Sequence, residues 1–135
     1  MRTRGAFFLL VTAGVAPLAA QDAAAAPDGA QIFQTVCSAC HTVNPPPKAA
    51  PPMSHATSFY LQQHQTPEAA AAAIVAYVKQ PDSTRSALPA HAIARFGLMP
   101  SQAHLTDAQL AAVASYVLTL ADTTHRMPMG PPGAP

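Results

Sequence analysis

The sequence has no tryptophan, only two cysteines and 10% charged residues, and each shortage removes a class of protein. Sparse charge without a basic stripe of interleaved aromatics leaves nothing to recommend a nucleic-acid surface. Two cysteines cannot supply the second pair that a structural zinc site usually needs. No stretch alternates apolar and polar residues as a half-buried strand would, and no internal repeat is present. The apolar run from Ala6 to Ala16 is well short of the roughly 20 residues of a membrane-spanning helix.

What remains is rich in alanine and carries 15 prolines, a composition for short helices separated by extended loops. The first 20 residues have two arginines, an apolar run and small residues at Ala19 and Ala20, the layout of a secretory signal peptide. Cleavage is expected after Ala20, with Ala25 as the next site. Seven basic residues less Arg2 and Arg4 leave five against six acidic ones, a net charge of −1. The mature chain then reads as a flexible lead-in over 21–27, one folded domain over 28–121 and a disordered proline-rich tail over 122–135. A core this small is marginal without a staple.

Asp28 caps a helix, with Gln31 three positions on, and Gly29, Ile32, Phe33 and Val36 share one face that runs into the cysteines. From Val43 to Pro52 the prolines forbid a helix. Thr66-Pro67-Glu68 starts a second helix that Pro81 ends near Gln80. A short helix is expected from Ala90 to Phe96, with Gly97 as a left-handed cap, before the irregular turn Leu98-Met99-Pro100. Thr106 and Gln109 form a capping box for a last helix to about Ala121, with Leu110, Val113, Ala114, Val117 and Ala121 on one face.

Cys37-Ser38-Ala39-Cys40-His41 has the spacing of covalent haem attachment. The thiols add across two vinyl groups on one edge of the porphyrin, and the next residue, His41, is carried under the iron. Thiol–disulfide exchange uses the same cysteine spacing, but in a βαβ setting that this chain lacks; a plain disulfide is the other alternative. Haem would also be the staple that the small core requires.

With this motif, its preceding helix, the proline-rich loop, the middle helix, the Met-Pro turn and the terminal helix in that order, residues 28 to 121 resemble the class I cytochrome c family. The resemblance implies an all-α cytochrome c fold of three to five helices around one haem c. It implies that the first and last helices cross at Gly29, Phe33 and Tyr116. The family's distal ligand maps onto Met99, making His41 and Met99 the metal ligands, while Met53 maps onto an apolar position against the haem and is the competing sulfur. Pro51, or the adjacent Pro52, corresponds to the carbonyl that holds the proximal histidine, although Ala50 stands where the family commonly has glycine. Tyr77 corresponds to an aromatic donor near a haem propionate, or to a core residue. His55, His64, His91, His104 and His125 read as solvated, and Met127 and Met129 as part of the tail.

The implied function is a periplasmic, monomeric single-electron carrier and not an enzyme, with redox protein partners: a dehydrogenase or quinol-oxidising complex on one side, a membrane oxidase or a reductase on the other. A fixed haem subunit of a larger oxidoreductase, or a small haem peroxidase or gas sensor, are the alternatives.

Overall fold

Five α-helices and no strand make up residues 25–122, the part of the chain that the computed structural model describes. The expected signal peptide, and His125, Met127 and Met129 of the tail, lie outside the described residues. The helices are α1 (Gly29–Ile32), α2 (Met53–Gln63), α3 (Pro67–Lys79), α4 (Ala90–Phe96) and α5 (Asp107–Leu118).

Capping chemistry sets most of the starts. Asp28 Oδ1 accepts from the amides of Ala30 and Gln31 at 2.9 and 3.2 Å. Thr66 caps α3 with Pro67 in the first turn, and Thr106 and Gln109 form the reciprocal capping box of α5. The stops depart from expectation in two places. α5 closes at Leu118, and Thr119 and Leu120 continue only as a turn. Gly97 has the expected positive φ of 74° but a ψ of −172°, so it is no left-handed helical cap; it swings the chain into an extended path that is essentially closed to other residues.

Two features differ more from the sequence reading. α1 is a single turn, and the chain then widens into a π-helical turn over Phe33–Cys37, closed by the Ser38 amide on the Phe33 carbonyl at 2.9 Å. The Thr35 hydroxyl bonds back to the Gln31 carbonyl at 2.9 Å, satisfying an acceptor next to the widening. α2 is a full helix in a segment where none was expected. It has no side-chain cap, and its buried face includes Ser54 and Thr57, so polar letters sit where an apolar stripe is sought. The Thr57 hydroxyl is satisfied by the Met53 carbonyl at 2.6 Å, which is how a hydroxyl is tolerated there.

α5 is the hub, packed against α1, α3 and α2. Leu110 and Ala114 are fully buried, and Phe33 meets Tyr116 with ring centroids 5.9 Å apart at 51°. Gly29 makes the crossing close: a Cβ there would stand 2.2 Å from the Ala112 carbonyl oxygen and 2.8 Å from the Tyr116 Cβ. Backbone cannot step aside as a side chain can, so Gly29→Ala must push α1 off α5. Overpacking of this kind costs about 3 kcal/mol, and a thermal melt should show it as a clear drop in midpoint. An unaltered melt would mean that the two helices are further apart than this.

Candidate functional site

The thiols are aimed by the π-turn and by the tighter turn after it. The amides of Cys40 and His41 both bond the Cys37 carbonyl, at 3.2 and 3.0 Å, winding the motif closely on itself. The proline-rich loop then doubles back along it. Ala50 donates to the Cys40 carbonyl at 3.1 Å, Met53 to Thr42 at 2.8 Å and Ser54 to Val43 at 2.9 Å, while Lys48 Nζ reaches the Ser38 carbonyl at 3.1 Å. A segment that cannot form a helix is thus held by the backbone of the motif it faces.

This return brings the Pro51 carbonyl 2.8 Å from Nδ1 of His41, while the Pro52 carbonyl accepts the amides of His55 and Ala56 in α2. A carbonyl only accepts, so Nδ1 carries the proton and Nε2 keeps a free lone pair. Burial lowers the His41 pKa from its usual value, with the Pro51 bond working partly against that, and the ring is neutral at neutral pH. Cys37 and Cys40 are both free thiols, and burial pushes the Cys37 thiol up.

Met99 is placed by the end of α3. The last turn of a helix leaves carbonyls without partners, and here the chain after Met99 supplies them: Gln102 donates its amide to Val78 at 2.8 Å and the Ser101 hydroxyl bonds Lys79 at 2.6 Å.

Between these elements lies a cavity of about 370 Å³. Cys37, Cys40, His41, Pro51, Tyr77 and Met99, the six residues singled out from the sequence, all line it, as does Met53. Among the described residues no Asp, Glu, Lys or Arg does. His55 and His91 line a neighbouring groove of about 450 Å³, which shares Pro51, Ala56, Leu88, Ala92 and Phe96 with the cavity as a common wall. His64 stacks on Tyr60 at 6.4 Å and His104 is exposed, so the histidines other than His41 stay off the cavity among the described residues.

Tyr60 is the residue that sequence reasoning missed. It lines the cavity from α2, 5% exposed, and its hydroxyl has no hydrogen-bond partner. The Ala87 backbone, whose carbonyl accepts from Gln63 Nε2 at 2.8 Å, lies near enough to the phenol to draw its pKa down. Burial dominates and raises the Tyr60 pKa to about 12, so the group is a protonated donor at neutral pH. Tyr77, also raised by burial, is drawn back by the Ser86 hydroxyl and the Met99 backbone. Nothing in the sequence could have shown Tyr60, because it sits on the helix that the sequence hid.

These residues fit a haem c. The cavity is apolar and uncharged, two free thiols stand at one side of it, a neutral imidazole offers Nε2, and a thioether is present. One buried phenol is short of an acceptor, which a propionate carboxylate would supply. Among the described residues no three His, Cys, Asp or Glu gather to hold a bare metal ion. No helix among them is long and apolar enough to cross a membrane.

Compared with known proteins, the chain matches the cytochrome c family model over residues 26–121. No curated protein and no solved structure matches it. The match runs through α1 to α5 and takes in the two thiols, His41 and Met99. A family model satisfied over most of the chain, on an all-helical fold, places the chain in the cytochrome c family of electron-transfer proteins, as a carrier rather than a catalyst.

Proposed function

We propose that this carrier works in the periplasm, exported by residues 1–20, with one haem c joined to Cys37 and Cys40 and with His41 and Met99 as its axial ligands. One observation carries the proposal: a single uncharged cavity has both thiols, the imidazole and the thioether on its wall. Bound there, the haem supplies an iron that takes up and releases one electron.

The chain's own residues decide how readily that happens. The Pro51 carbonyl fixes the His41 ring and raises its donor strength through Nδ1–H. The soft thioether of Met99 favours the reduced state, and so does a wall without charge, because the oxidised state carries one more positive charge. Tyr60 would donate its phenol to a propionate of the bound haem, and Tyr77 lines the same cavity with its phenol drawn to the Ser86 hydroxyl and the Met99 backbone. A haem held by both His41 and Met99 would leave the domain to pass electrons from a dehydrogenase or quinol-oxidising complex to an oxidase or a reductase, with no substrate bound at the iron.

The loaded protein should therefore titrate as a single one-electron couple, and its reduced form should take up no carbon monoxide at neutral pH. Rapid stoichiometric uptake would mark an open site, and with it a peroxidase or gas sensor.

A further inference from the structure

The groove beside the cavity has a lining of its own. Pro51, Ala56, Leu88, Ala92 and Phe96 form the wall that the two share, but Pro45, Pro52, Phe59, Pro89, His91 and Arg95 line the groove alone. A haem in the cavity would cover the α4 residues that face it, such as Ile93, and leave the side with His91 and Arg95 open. α4 is otherwise poorly held: none of its residues is buried, and it packs closely on no other helix among the described residues. Five prolines and the rings of Phe59 and Phe96 make the groove between α2 and α4 largely apolar.

The last described residue stands at this groove. Asp122 lines it, and its backbone is pinned there at both ends: the Asp122 amide donates to the Ser54 carbonyl, and the Ser58 hydroxyl to the Asp122 carbonyl, each at 3.0 Å. The next thirteen residues, Thr123 to Pro135, therefore set out from its edge. Such a proline-rich stretch cannot fold alone, but its letters suit this wall. The run Met127-Pro128-Met129-Gly130-Pro131-Pro132 carries no charge, and its prolines have no amide donor to strand against apolar surface. Grooves lined by aromatic rings take segments of this kind in the polyproline II form. Thioethers fill irregular space beside such rings. Met127 follows Asp122 by five residues, a reach of at most about 17 Å, so the tether holds both thioethers at a high local concentration that a separate molecule lacks.

We propose that the segment Thr123–Pro135 is the occupant of this groove, with Met127 and Met129 against Phe59 and Phe96. Seated there it braces α4 against α2, and with it the chain that leads through Gly97 to Met99. The fixed φ of its prolines lowers the entropy lost on docking.

Nuclear magnetic resonance on the full-length, haem-loaded, reduced protein tests this. The ε-methyl groups of Met127 and Met129 should show nuclear Overhauser contacts to the Phe59 and Phe96 rings, with shifts displaced by the ring currents. In the double variant Met127→Gln, Met129→Gln, the Gly97 amide, which closes α4 on the Ile93 carbonyl at 2.8 Å, should exchange its hydrogen about tenfold faster than in the parent. The Leu110 amide of α5 should exchange as before. Methyl groups at random-coil positions without ring contacts would overturn the proposal, and so would unaltered exchange at Gly97. Contacts found only between molecules, in a mixture of one copy labelled at methionine and another at phenylalanine, would assign the groove to a second copy and overturn it as well.

Discussion

Replacing both Cys37 and Cys40 by alanine should change haem retention in acidified organic solvent from complete to none. A thioether is not broken by acid, whereas axial bonds to His41 and Met99 are, since acid protonates the imidazole. The single variants should each keep one link and stay coloured. Folding should suffer in the double variant as well. An apolar cavity of about 370 Å³ lined from α2, α3, α4 and α5 leaves side chains such as Ile74, Val113 and Val117 without contacts on one side unless something fills it. A tether holds the filling at a high local concentration, and the variant should melt at a lower temperature even when haem is added in excess. Haem that extracts freely from the unaltered protein would end the proposal of covalent attachment.

The second large effect is expected at Met99. Met99→His should keep the iron six-coordinate but lower the potential, because an imidazole lacks the thioether's preference for the reduced state. The sulfur-to-iron absorption of the oxidised protein should vanish with it. Met99→Ala should open the distal side, and the reduced protein should then bind carbon monoxide. Met53 shares the cavity and serves as the control. As the first residue of α2 its thioether packs against the core, and Met53→Leu should cost under about 1.5 kcal/mol and leave the sulfur band in place. Should the band survive Met99→His and disappear in Met53→Leu, the ligands have been assigned the wrong way round.

Local signals written in letters were legible. Asp28, the Thr66-Pro67-Glu68 start and the Thr106/Gln109 box act within a turn of their own positions, and the helices begin where those residues put them. The cysteine motif was legible for the same reason, since its chemistry lies in spacing. The Pro51 carbonyl came from resemblance, and the structure puts it against His41 although Ala50 replaces the usual glycine. What stayed hidden depended on tertiary contacts. α2 turns polar residues inward, the Thr57 and Ser58 hydroxyls bonding its own carbonyls, and Ser58 Oγ also reaches the Asp122 carbonyl at 3.0 Å, 64 residues along the chain. No window of sequence contains that bond. Tyr60 was invisible with the helix that carries it, and its significance comes from a missing partner, which only three dimensions can show.

The widened turn at Phe33–Cys37 has a consequence for any close comparison of sequences. An α-helix advances by about 100° per residue, and a turn that closes over five residues instead of four takes up one surplus residue while leaving the bearing of everything downstream nearly as it was. The motif fixes the distance between its own thiols; the widening upstream preserves the direction in which they point. Deleting Gln34, which is exposed, would let the turn rewind to ordinary pitch and leave Cys37 facing the cavity it now lines. A related chain with one residue fewer between its capping aspartate and its first cysteine would reach the same bearing through an unbroken α-helix, with no shift of the crossing at Gly29. A difference of one in the residue count across that interval is thus compatible with two such chains presenting their thiols alike.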